Sequence, residues 1–125
     1  MNFNKADIAT QIVTLPQTFH SLGNVSIFTL LKATGYFELH DRISEDDIRT
    51  ALLCCPECVQ EWMQYIDDQR CSSSWYLVLN DEGLYEVGFY DSNTDPARSN
   101  QVVYENAMDA CAAFIKHQIE SIRAL

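Results

Sequence analysis

The stretch from Trp75 to Tyr90 restricts the possible folds more than any other part of this chain. Its two arms are Trp75-Tyr76-Leu77-Val78-Leu79 and Leu84-Tyr85-Glu86-Val87-Gly88-Phe89-Tyr90. Both are rich in aromatic and β-branched residues, which suit a pleated, half-buried surface. Asp81, Glu82 and Gly83 lie between them. Glycine takes φ > 0 without a Cβ penalty, so the pattern predicts a β-hairpin whose type I turn is closed by a left-handed Gly83. Side chains alternate along a strand, so Tyr85, Val87 and Phe89 share one face and Leu84, Glu86, Gly88 and Tyr90 the other. The first set is expected to face the core. Tyr90, and Tyr76 if its register agrees, is expected at the surface.

Helical patterns surround the hairpin. Ile8, Ile12 and Leu15 recur at helical spacing over residues 4–15, and Pro16 is read as the stop. Residues 16–23 read as a connector ending in Gly23. Asn24 is a good N-cap for a second helix whose apolar face is Ile27, Phe28, Leu30 and Leu31, with Gly35 at its C-terminal end. Ser44 opens a third helix with Asp47 three residues on, a variant of the capping box. Ile48, Leu52 and either Leu53 or Cys55 form its inward face. Pro56 breaks that helix and suits the first position of the next. There Val59, Trp62, Met63 and Ile66 have the spacing of a buried stripe.

After the hairpin, residues 91–100 read as a polar loop of about ten residues. Residues 101–104 read as a third strand. Ala107, Cys111, Phe114, Ile115, Ile119 and Ile122 mark a final amphipathic helix. The 125 residues thus predict one domain, 1–125, of α+β class. It has N-terminal helices, a small antiparallel three-stranded meander (about 75–80, 84–90 and 101–104) and a closing C-terminal amphipathic helix.

Charge constrains partners. The formal net charge is −10. Residues 41–95 hold thirteen acids against three bases, and the five acids and five bases elsewhere cancel. All the excess negative charge therefore sits in the middle of the chain. Nucleic acid and anionic membranes are disfavoured as partners, because their phosphates are repelled, and a basic protein surface is favoured. No apolar run approaches the roughly 18 residues of a membrane span, and no signal-peptide core is present, so a cytoplasmic protein is expected. The five cysteines are an odd count, which fits reduced thiols better than a disulfide framework.

Motifs for chemistry are few. Cys55-Pro56-Glu57-Cys58 matches the C-x-x-C redox pattern. Thioredoxin-like chemistry sets that pattern between a strand and a helix, whereas helical sequence precedes it here; small buried hydrophobes are the competing reading. One close cysteine pair, with His20, His40 and His117 scattered, does not make a zinc site. No serine lies in a nucleophile elbow, and four glycines form no phosphate loop. A non-enzymatic protein without metal or cofactor is expected.

A family pattern runs through Ser26 to Leu31, Gly35, Tyr36 and Phe37. It continues through Ile43, Ser44, Ile48, Leu52, Pro56, Trp62, Asp68 and Arg70. It ends with Ser73, Trp75, Tyr76, Tyr85, Val87, Tyr90, Ala110, Cys111, Phe114 and Ile115. This resembles a family of small acidic bacterial proteins that look like immunity proteins of polymorphic toxin or contact-dependent inhibition systems. The resemblance covers about residues 24–122 and leaves out the N-terminal segment, 1–23. It implies cytoplasmic binding and neutralisation of a cognate toxin domain, many such toxins being nucleases with basic clefts. Arg70 and Trp75 match it best, and both are expected to be structural. The partner-binding residues expected from charge and aromatic placement are Asp67, Asp68, Asp81, Glu82, Tyr85, Tyr90, Asp91 and Asp95. An acidic interaction module with another basic partner, or a thiol-redox protein using the C-P-E-C motif, are the alternatives.

Overall fold

The computed structural model describes residues 4–68 and 73–124, with backbone alone for Asp67, Asp68 and Ser73. In chain order the helices are α1 Lys5–Val13, α2 Leu15–Leu22, α3 Ile27–Ala33, α4 Tyr36–Leu39, α5 Glu45–Cys54 and α6 Glu57–Asp68. The strands β1 Ser73–Leu79, β2 Tyr85–Asp91 and β3 Arg98–Tyr104 follow, then α7 Ala107–Arg123. The sheet is an antiparallel meander in the order β1-β2-β3. The α+β class and the closing helix are as the sequence predicts.

The capping signals explain most boundaries. Ser44 Oγ accepts the Asp47 N–H at 3.2 Å while Asp47 Oδ2 accepts the Ser44 N–H at 2.9 Å, a complete capping box. Pro56 separates α5 from α6. Two expectations are corrected. Residues 16–23 are not a connector: Pro16 sits in the first turn of α2, where its missing N–H costs nothing, so it starts a helix and does not merely stop one. Asn24 does not cap α3. Ser26 does, its Oγ accepting the Thr29 N–H at 3.1 Å.

The centre of the molecule is α7. It packs against α5 on one side and against the sheet on the other. Every residue from Ala110 to Ile115 is buried, so this stretch is apolar all round and not merely striped. Its alanines let neighbouring backbones approach closely. Trp62 of α6 is fully buried beside it, edge-on to Tyr65 and Phe114. Its indole N–H donates to the carbonyl of Val13 at 3.0 Å, satisfying an acceptor that the end of α1 leaves open. Leu77 and Val87 turn toward α7 as cross-strand partners, and Trp75 stacks on His117 with ring centres 3.9 Å apart. Trp75 is thus structural, as expected; the pairing expected of Arg70 lies outside the described residues.

Candidate functional site

The β1–β2 turn has the expected form. Gly83 has φ +80°, and its N–H donates to the Asn80 carbonyl at 3.1 Å. Asn80 adds what the sequence reading missed: its Oδ1 accepts the N–H groups of Glu82 and Leu84, each at 2.9 Å. Asp81 and Glu82 stand exposed at this tip.

Register decides where the other acids lie. Leu79 pairs with Tyr85 next to the tip, and Ser73 pairs with Asp91 at the far end of the hairpin. Six residue steps separate these pairs, about 20 Å along the strands. Asp91 and Asp95 therefore lie at the opposite end from Asp81 and Glu82. Asp68 ends α6, and Asp67 and Asp68 precede Ser73, the partner of Asp91, by six and five residues in sequence. Their side chains lie outside the described residues.

The eight expected contact residues are consequently not one patch. Tyr85 turns with Val87 toward α7 and packs against the core, so it is no surface anchor. Tyr90 turns the other way and is 36% exposed. Asp91 is half-buried and holds its own loop, its Oδ1 accepting the Asn93 N–H at 2.9 Å; Asp95 is exposed. The loop itself is shorter than expected, because Asp91 N–H closes on the Ala97 carbonyl at 2.8 Å and β3 begins at Arg98.

The face turned away from α7 holds a cluster absent from the expected site. Tyr76 lies over Gly88, its cross-strand partner. A Cβ at Gly88 would stand 2.6 Å from Tyr76 Oη, so only glycine leaves room for the ring. The hydroxyl donates to Glu86, and Arg98 sits 4.9 Å from the ring centre while its Nη1 lies 3.4 Å from Glu86 Oε2. Burial, reinforced by the Glu86 hydrogen bond, pushes the Tyr76 hydroxyl up to about 12, so it remains a donor at neutral pH. Tyr76 is only 8% exposed, which corrects its expected surface position: Arg98 covers it. An isolated glycine inside a strand pattern is a sign of close approach by another group, and Gly88 was the available signal. Beside this cluster is a cavity of about 250 Å³, lined by Tyr65, Ile66, Tyr76, Tyr90, Arg98 and Gln118 among others.

A second cavity, about 440 Å³, lies between α2 and α6. Phe19, His20, Glu61 and Tyr65 line it. Glu61 Oε1 accepts from Gln17 at 2.7 Å, and Oε2 is shielded without a hydrogen-bond partner among the described residues.

Ion pairing engages one hairpin acid, Glu86, and leaves the acids at the two ends of the hairpin without a cation among the described residues. Among the described residues the ion pairs are Lys5–Asp47, Arg49–Asp109, Arg98–Glu86 and Arg123–Glu120. None engages Asp81, Glu82, Asp91 or Asp95. Among the described residues, no three His, Cys, Asp or Glu side chains are grouped to hold a metal, and no helix is long and apolar enough to cross a membrane. Comparisons with protein-family models, curated proteins and solved structures found no match.

Proposed function

We propose that this chain is an immunity protein that binds and neutralises a cognate bacterial toxin domain with a basic, nuclease-type surface, and that it does so in the cytoplasm without catalysing a reaction. The observation that carries the reading is that Asp81, Glu82, Asp91 and Asp95 have no cationic partner among the described residues, within the stretch 41–95 that holds the excess negative charge. Carboxylates already paired internally would have little to offer a partner. Unpaired ones steer a basic surface and gain charge-assisted hydrogen bonds on contact.

The far end of the hairpin suits docking better than the tip. It combines Asp91 and Asp95 with the exposed ring of Tyr90 and the cavity beside it. Aromatic anchors set in a ring of polar groups dominate the energetics of many interfaces. The tip offers two carboxylates and no outward aromatic.

Co-expression with candidate toxin domains, those of neighbouring genes first, tests this. Protection of the cells and a purified complex of the two proteins are expected. Failure of both would overturn the reading. Binding without protection would instead favour an acidic interaction module with a different basic partner.

A further inference from the structure

We propose that Cys55 and Cys58 are a redox-active pair that exchanges with small thiols and disulfides, independently of toxin binding. α5 ends at Cys54 and α6 begins at Glu57, so Cys55 stands in the corner between two helices. Its carbonyl accepts the Cys58 N–H at 3.0 Å, and the Pro56 carbonyl accepts the Val59 N–H at 3.2 Å. Cys55 thus ends α5 two residues before α6, and Cys58 lies in the first turn of α6. The two Cα atoms are 5.7 Å apart, and the residues are joined as a disulfide. That separation lies within the range that a disulfide spans without backbone movement.

The lead-in by a helix does not spoil the chemistry. What activates a cysteine in a C-x-x-C motif is the N-terminus of the following helix, whose N–H groups favour a thiolate; what precedes the motif is secondary. Here α5 delivers the chain to that position where a strand does so elsewhere. Glu57, also in the first turn, opposes the effect.

Burial makes the pair asymmetric. Cys58 is fully buried, whereas Cys55 is partly accessible. An incoming thiolate therefore reaches the Cys55 sulfur. The S–S bond breaks, a mixed disulfide forms on Cys55, and Cys58 leaves as a thiolate that takes up a proton. A second thiol then attacks the mixed disulfide, releasing the small disulfide and reduced Cys55. In total, two small thiols are oxidised to one disulfide and the protein pair gains two electrons and two protons. A purely structural crosslink would have little to do here. It closes a very short loop, which removes little freedom from the unfolded chain, and joins residues that the Cys58 N–H to Cys55 carbonyl hydrogen bond already holds together. Cys111, by contrast, is buried and pushed up to about 12 by that burial, as an inert thiol should be.

The probe is glutathione, applied to the full chain carrying Cys54→Ser, which removes the exposed neighbouring thiol. Equilibration across a series of reduced-to-oxidised glutathione ratios, followed by alkylation and mass spectrometry, should show a reversible two-electron transition confined to Cys55 and Cys58. Cys58→Ser should trap glutathione on Cys55, and Cys55→Ser should trap roughly tenfold less on Cys58. Should Cys58→Ser not fold, the reduced Cys54→Ser protein gives the same information, with Cys55 alkylated roughly tenfold faster than Cys58. A pair locked in one state across the whole series, or equal capture by both cysteines, would overturn the proposal.

Discussion

Lys116 shows how one side chain organises its surroundings. Its three ammonium protons have three acceptors: Tyr36 Oη at 2.8 Å, the His40 carbonyl at 2.9 Å and the Ile43 carbonyl at 2.6 Å. The Tyr36 hydroxyl donates in turn to the Glu120 carboxylate, which Arg123 holds through Nε at 3.0 Å and Nη2 at 3.1 Å. The network fastens α4 and the chain leading to α5 onto α7. Lys116→Met should cost about 2–3 kcal/mol in urea unfolding, because two carbonyls and a buried hydroxyl lose their donor. The pH dependence follows from Glu120. The Arg123 hydrogen bond, helped by that of Tyr36, lowers its carboxyl from 4.5 to about 2. A pKa lowered by folding contributes stability above the unfolded value, and that stability is lost as pH falls from about 4.5 toward 2. The urea midpoint of the native protein should therefore fall more steeply between pH 5 and pH 3 than that of Glu120→Gln. Parallel curves would show that the network does not depend on the ionised carboxylate.

At the scale of elements, Gly88 is the sharpest test of the sheet. Gly88→Ala places a methyl group against the Tyr76 ring and should destabilise the protein by about 1–3 kcal/mol. In a Tyr76→Ala background the same change should cost much less, since the clash is gone. Additive costs would show that Gly88 matters for another reason. The hairpin, the Ser44 cap and the Pro56 break were all legible in the sequence, because each is a local signal confirmed by a local hydrogen bond or dihedral. What was not legible depended on other elements. Pro16 has one meaning as a stop and another in a first turn, and only the following helix distinguishes them. Arg98-Ser99-Asn100-Gln101 has no apolar alternation; Arg98 and Ser99 are strand because they pair with Tyr90 and Phe89, and Asn100 and Gln101 fall in the register shift before Val102. The middle of α7 reads as striped until α5 and the sheet close on it from two sides. Likewise, the acids of the candidate site were visible one by one, while their division between the two ends of the hairpin follows from register.

For the whole molecule, a strongly acidic middle segment lies between stretches without net charge, and the far end of the hairpin is the proposed docking site. That end carries Tyr90, Asp91 and Asp95, and the tip carries Asp81 and Glu82 about 20 Å away. The two ends can therefore be altered separately. Asp91→Asn keeps the loop hydrogen bond to Asn93 while removing the charge, and Asp95→Lys reverses the neighbouring one. The most direct test is the affinity for the proposed toxin partner, once a candidate is captured by co-expression, measured over a range of salt concentrations. The Asp91→Asn/Asp95→Lys protein should bind roughly tenfold more weakly at low salt with a flatter salt dependence, while Asp81→Lys/Glu82→Lys changes affinity by less than about threefold. Unchanged affinity in the far-end variant, or a larger loss in the tip variant, would contradict the assignment of the docking surface.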